Sequence, residues 1–153
     1  MPKVTEKAVC YVVQDGHLLV FTHLRHPMHI TGLRHPMHIT GVQVPAGTIA
    51  EGESPIEAAE RELLEETGMT GIVSRELGTA SYDVRPMRDE IANRHFLDLT
   101  VPPQDVSRRW IARESDPSHG GAAEEWECWW LPLEQAHVLA AGLGSQLWRL
   151  AQP

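Results

Sequence analysis

Residues 47–69, GTIAEGESPIEAAERELLEETGM, constrain this chain more than any other passage. Ser54-Pro55 offers an N-cap followed by proline at the first helical position, and Gly68 supplies a C-terminal stop. A helix is therefore predicted from Pro55 to about Thr67. At about 100° per residue, Glu62, Glu65 and Glu66 fall within a wedge of roughly 100°. Ile56, Ala59, Leu63 and Thr67 fill the adjoining sector, so the acidic wedge borders the buried stripe and is partly desolvated. Like charges at i,i+4 oppose an isolated helix by about 0.2–0.5 kcal/mol, and burial adds to that cost unless a cation is at hand. A bound divalent ion removes the conflict. Ligands that are all oxygen select hard ions, Mg2+ first and Mn2+ as the alternative. Arg61 is placed to pair with Glu53 across the preceding loop, whose tight turning is left to Gly47 and Gly52.

The pattern is fuller than an acidic helix requires. Glycine, five residues, glutamate, seven residues, then Arg-Glu-apolar-any-Glu-Glu-any-Gly-apolar is met at Gly47, Glu53, Arg61, Glu62, Leu63, Glu65, Glu66, Gly68 and Met69. This passage resembles the Nudix hydrolase box. The resemblance implies an α/β fold, specifically a Nudix-type α/β/α sandwich with a mixed β-sheet, as one domain over residues 1–153. It also implies a divalent-metal-dependent pyrophosphohydrolase that cleaves a nucleoside diphosphate joined to another group. Carried onto this chain, Glu62 and Glu66 are metal ligands, Glu65 is a ligand or the base that activates water, and the Ala46 carbonyl is a further ligand. Glu53 and Arg61 orient loop and helix around them. A carboxylate outside the box, from Glu124, Glu125 or Glu127, completes the site, with Glu125 preferred because it opens a strand.

The formal charge of −8 excludes the broad basic face that a nucleic-acid duplex needs, and the resemblance implies a small nucleotide diphosphate derivative as the partner. An acidic protein binds such an anion through metal. Val44-Pro45-Ala46-Gly47 resembles the approach to the box in the nucleoside-diphosphate-sugar branch, and Pro86 lies near a proline of ADP-ribose hydrolases. Tyr82 is instead similar in kind to a tyrosine of dinucleoside polyphosphate hydrolases. Nucleotide sugars rank first. Arg85, Arg88 and Arg94 are candidates for phosphate or ribose contacts, and the five tryptophans for base stacking or core. The competing reading is a nucleotide-binding or regulatory module without catalysis, against which the intact box argues. The N-terminus shows no signal-peptide pattern, no run of eighteen apolar residues occurs, and Cys10 and Cys128 sit in apolar runs as core thiols. A cytoplasmic protein with no membrane partner is expected.

Around the box, Lys7 to Gln14 and His17 to Leu24 flank Asp15-Gly16 as a hairpin. Val42 to Val44 reads as a short strand, Ile72 to Tyr82 and Ile91 to Val101 as longer ones, with Asn93 to His95 facing a cleft or solvent. Pro102 to Glu124 reads as a loop, Trp126 to Leu133 as a strand, and Leu133 to Gly142 and Ser145 to Leu150 as closing helices. Between hairpin and box the nine residues LRHPMHITG stand twice, at 24–32 and 33–41. With His23 they place five of the nine histidines within sixteen residues, which invites a transition-metal site. The histidines were copied as a block, however, and one copy suffices to join strand to box. Nine is odd, so an insertion within a strand would reverse its facing. The second copy is expected to loop out beside the cleft, where it alters access or offers a homodimer contact.

Overall fold

The computed structural model describes residues 1–24, 41–113 and 124–153. β1 (Lys3–Gln14) and β2 (His17–His23) form the expected hairpin, and Asp15 and Gly16 have φ of 49° and 71°, the two left-handed residues of a type I′ turn. There follow β3 (Ala46–Thr48), α1 (Pro55–Thr67), β4 (Ile72–Asp83), β5 (Glu90–Thr100), β6 (Trp110–Arg113) and β7 (Glu125–Pro132). Two 3₁₀ turns, Leu133–Val138 and Leu147–Ala151, close the chain. The strand order is β4-β5-β1-β2-β7-β6, with β3 added beside β1. β1 and β5 run parallel and the other neighbours antiparallel, which gives the mixed sheet of the expected α/β/α sandwich.

Strand alternation divides the core into two faces. Ala8, Cys10, Val12, Leu97, Leu99 and Trp130 pack with Ala58, Ala59 and Leu63 of α1. Val9, Tyr11, Leu18, Phe96 and Leu131 form the opposite face, covered by Leu139, Leu143 and Leu147 of the C-terminal strap. The strap is pinned by polar groups as well: the Tyr11 hydroxyl donates to the Leu143 carbonyl at 2.5 Å, and Arg149 Nη1 donates to the Leu77 carbonyl at 2.9 Å.

Four local expectations are corrected. Val42 to Val44 makes only single bridges, Phe21 to Gln43 and Val42 to Leu139; the regular strand is the next segment, Ala46–Thr48, which finds the free edge of β1. Trp110–Arg113 is a strand inside the expected loop, created by pairing with β7. The closing segments are short 3₁₀ turns: the first already ends at Leu139, whose ψ of 133° is extended, and Ala141 and Gly142, at φ of 53° and 69°, separate it from the second. On α1, Ala58 takes the buried place expected of Ile56, which is 38% exposed.

The repeat lies almost wholly outside the described residues, so its looping, its histidines and its dimer contact are not assigned. Its two ends are described. The Leu24 amide donates to the Glu125 carbonyl at 3.1 Å, and Gly41 stands at φ of 91° immediately before the Val42 bridge.

Candidate active site

The helix begins as its sequence dictates. Ser54 Oγ accepts from the Glu57 amide at 3.1 Å, while Glu57 Oε1 accepts from the Ser54 amide at 3.0 Å, a reciprocal capping box. Gly68 ends the helix at φ of 77°. The preceding loop turns at Ala50–Glu53 with Gly52 at φ of 80°, and Ile49 donates its amide to Glu6 of β1, so loop and sheet are joined.

Arg61 is the hub of the site. Its Nε and Nη2 donate to the two oxygens of Glu53 at 2.7 and 2.8 Å, a bidentate pair, and Nη2 also donates to the Thr48 carbonyl at 3.0 Å. Nη1 reaches Glu62 at 2.8 Å and Glu65 at 3.2 Å. The Arg61 guanidinium holds the Glu53 carboxyl down at about 2. One guanidinium thus serves three carboxylates. Glu66 turns instead to β3, where its Oε1 accepts from the Ala46 amide at 2.7 Å. Burial pushes Glu62 up despite Arg61, and pushes Glu66 well above the usual carboxylate range, with the Glu62 charge adding to it.

Gly47 lies against this cluster. A Cβ added there would fall 2.1 Å from the Cδ and Oε1 of Glu62, so the glycine leaves the space that the Glu62 carboxylate fills.

Among the described residues no group of three or more acidic, histidine or cysteine side chains stands ready-gathered around a common cation position. Arg61 takes up the charge of Glu62 and Glu65, and the Ala46 amide takes up Glu66. The donor set nevertheless fits a hard divalent ion: its ligands are all oxygen, and desolvation raises two of its carboxyls in the manner a second cation would reverse. Glu62, Glu65 and Glu66 are the residues that would hold it, with the Ala46 backbone beside Glu66.

Comparison with known families gives a match to the NUDIX domain over residues 5–150. The chain belongs to the Nudix family. An RNA pyrophosphohydrolase of Brucella abortus (strain 2308) is 34% identical over 105 residues, 60% of this chain and 54% of that protein. The chain therefore spans about half the length of the curated relatives it matches. The solved structure of a UDP-X diphosphatase superposes with a TM-score of 0.65 at 14% identity, over 99% of this chain and 63% of that one. An ADP-ribose pyrophosphatase from Streptococcus suis superposes with a TM-score of 0.59 at 15% identity, over 97% and 89% of the two chains. At those identities the likeness is one of fold.

In this Nudix chain Glu125 is not brought to the box. Trp126, Cys128 and Trp130 point to the α1 side, and the indole nitrogen of Trp126 donates to the Glu66 carbonyl at 2.5 Å. Alternation sends Glu125 and Glu127 to the other face, where they pair with Arg113 at 2.5 Å and Arg109 at 3.1 Å. Glu124 precedes Glu125 by one residue and returns to the α1 side, 3.6 Å from His23 Nδ1, whose ring meets Trp126 edge-on. The signal was present in the alternation of Trp126, Cys128 and Trp130.

Other candidates have structural partners. Arg85 is clamped to Asp83, Arg88 pairs with Glu90 at 3.5 Å, and Arg94 is buried over the Tyr82 ring at 4.2 Å while donating to the Ala141 carbonyl. Arg94 thus faces neither cleft nor solvent, while its neighbours Asn93 and His95 both bond Glu6. Trp110 and Trp129 donate to Thr67 and Thr22; Trp130 is core, and Trp148 alone of the five is exposed. Sequence reasoning missed Lys7, whose Nζ donates to Thr48 Oγ1 at 2.7 Å beside the box.

Proposed function

We propose that this chain hydrolyses the pyrophosphate bond of a nucleoside diphosphate linked to another moiety, with nucleotide sugars as the preferred class. The observation that carries the reading is the clamp of Glu53 and Arg61, which gathers Glu62 and Glu65 at 2.8 and 3.2 Å from one guanidinium nitrogen beside the space kept by Gly47. Glu62 and Glu66 are assigned to hold Mg2+ or Mn2+, which when bound supplies charge neutralisation and Lewis acidity at the diphosphate. Glu65 is the most exposed of the three, with 55% of its side chain accessible, and is assigned to take the proton of the attacking water. Arg61 fixes the rotamers of Glu62 and Glu65 and so orients the base. Glu124, not Glu125, is the further carboxylate on that side of the sheet.

The relatives support hydrolysis of a pyrophosphate bond and divide on what carries it: RNA for the Brucella proteins, UDP derivatives and ADP-ribose for the structural neighbours. The net charge of −8 favours the small molecules. No described helix is long and apolar enough to cross a membrane, and the two described cysteines are buried free thiols, which support a cytoplasmic setting.

Formation of the nucleoside monophosphate and of the second phosphorylated product should be followed by chromatography with UDP-glucose, ADP-ribose, a dinucleoside polyphosphate and 5′-triphosphorylated RNA, each with Mg2+ and Mn2+. Turnover of a nucleotide sugar that is lost in Glu65→Gln and Glu66→Gln is expected. Binding of a nucleotide without turnover of any substrate would replace the enzyme by a binding module.

A further inference from the structure

The cation at the centre of the box is fully engaged within the protein. A guanidinium has five N–H donors, and those of Arg61 are taken by Glu53, Thr48, Glu62 and Glu65. It has none to give a phosphate. The arginines of β4, β5 and the turn between them are tied down as well: Arg85 is clamped to Asp83, Arg88 pairs with Glu90, and Arg94 is buried over the Tyr82 ring. A chain of net charge −8 therefore offers a diphosphate few groups that can donate to it directly.

Lys7 is the exception beside the box. The β1–β3 pairing sets Ala8 opposite Gly47 and Lys7 opposite Thr48. Side chains alternate along a strand, so Gly47 looks toward Glu62 while Thr48 and Lys7 share the other face. The Glu62 carboxylate and the Lys7 ammonium thus flank the same two residues of β3, and the Glu62 charge is felt at the ammonium. An ammonium has three hydrogens, and among the described residues Lys7 gives one, to Thr48 Oγ1 at 2.7 Å. The side chain is half-exposed and that bond lies at the surface, so the other two hydrogens can be reached from solvent. Partial burial disfavours the charge of Lys7, with Glu90 and Glu62 opposing in part, and a phosphate oxygen laid against it would favour that charge. Lys3, the only other lysine of the chain, stands four residues back on the same face, opposite Glu90 and away from β3.

We propose that Lys7 is a substrate-binding residue, whose ammonium, aimed by Thr48 Oγ1, donates to a non-bridging oxygen of the substrate's diphosphate. The inference rests on the pyrophosphohydrolase reading above and adds to it a direct contact between protein and phosphate.

The test measures KM and kcat for UDP-glucose with Mg2+ in the wild type, Lys7→Met, Lys7→Arg, Lys3→Met and Thr48→Val. Loss of a charge-assisted hydrogen bond should raise KM at least tenfold in Lys7→Met, with kcat within threefold. Lys7→Arg keeps the charge and should recover KM to within threefold. Lys3→Met removes the same unit of charge from the same face and should stay within twofold, which separates a contact from a general field. Thr48→Val removes the anchor but keeps the ammonium, so its KM should rise less than that of Lys7→Met. A smaller rise in Lys7→Met, an equal rise in Lys3→Met, or a fall in kcat that Thr48→Val reproduces would overturn the proposal, the last by making Lys7 a support for Arg61. Lys7→Gln takes the place of Lys7→Met if thermal melts show the latter unfolded. A wild type that cleaves no nucleotide substrate refutes the hydrolase reading alone. Calorimetric binding of UDP with Mg2+ to wild type and Lys7→Met then decides the contact: tenfold weaker binding supports it, and equal affinities or no binding count against it.

Discussion

Gly47→Ala is the most incisive perturbation of the box. The new Cβ would lie 2.1 Å from Glu62 Cδ and Oε1 and 2.5 Å from Oε2. Non-bonded carbon contacts settle near 3.5 Å, so the carboxylate must retreat by about 1 Å or more. Glu62 is the far end of a flexible side chain, but Arg61 holds it at 2.8 Å, and its side chain is only 12% exposed. Retreat therefore breaks the charge-assisted bond and misplaces an assigned ligand. A displacement of about 1 Å at a reacting centre costs roughly 100-fold in rate. Stability moves little. The lost bond, discounted for the half-exposed guanidinium, is worth about 1 kcal/mol, and reduced freedom of the unfolded chain returns about 0.4–1 kcal/mol. Because Gly47 is outside the left-handed region, alanine adds no backbone strain. The expected outcome is a melting temperature within about 3 °C of wild type and a kcat/KM reduced roughly 100-fold. Glu62→Asp shortens the side chain by one methylene, so the double variant should lose less activity than the product of the two single losses. Activity of Gly47→Ala within threefold of wild type, or strict additivity in the double variant, would refute the steric argument.

Glu53 titrates at about 2 in the folded chain, below its ordinary value of 4.5. Its stabilisation is therefore complete above the ordinary value and lost as pH falls toward 2, and the melting-temperature gap between wild type and Glu53→Gln should close over that window. Glu125→Gln should leave kcat/KM within twofold, since Glu125 faces Arg113, whereas Glu124→Gln should lower it at least tenfold; the opposite ranking would reverse the face assignment. Burial pushes the Cys10 thiol well up and that of Cys128 to about 12, so both stay neutral at pH 8 and should react with a disulfide reagent only as the chain unfolds. Deleting residues 33–41 keeps Leu24 and sets Gly32 where Gly41 stands. The sequence separation of Phe21 and Gln43 falls from 22 to 13, a closure gain of about 0.5 kcal/mol. Unchanged turnover and a melting temperature no lower than wild type are expected, and a marked fall in either would show that the second copy does structural work.

The elements legible in the sequence are those with local causes. Asp15-Gly16 specifies its turn by φ alone, and Ser54, Pro55, Glu57 and Gly68 cap a helix from within it. β3 and β6 were not legible because their causes are remote: three residues after Pro45 become a strand through the edge of β1, and four residues amid polar chain become one through β7. The candidate site divides the same way. Spacing brought Glu53, Arg61, Glu62 and Glu65 together, since all lie on one helix and its loop, while Glu66 of the same helix turns to the Ala46 amide. Lys7 comes from a strand whose nearness to the box is a matter of topology, and no spacing announces it.

The repeat shows how far register can be protected from a copying event. β2 ends at His23, one residue before the first copy, and the Val42 bridge begins one residue after the second. The Phe21 and Gln43 amides exchange bonds at 2.8 and 3.0 Å across the span, so the chain returns to β2 in a fixed antiparallel register. Nine residues would invert every side chain beyond them if they fell within a paired strand. Here Val44 still faces the strap and Ala46 still meets Glu66. The duplication is compatible with an intact box because the tandem copies run from Leu24, whose amide is still held by Glu125, to Gly41, one residue before pairing resumes at Val42. Any duplication of the same unit, whatever its number of copies, should leave the Glu62, Glu65 and Glu66 cluster where it is.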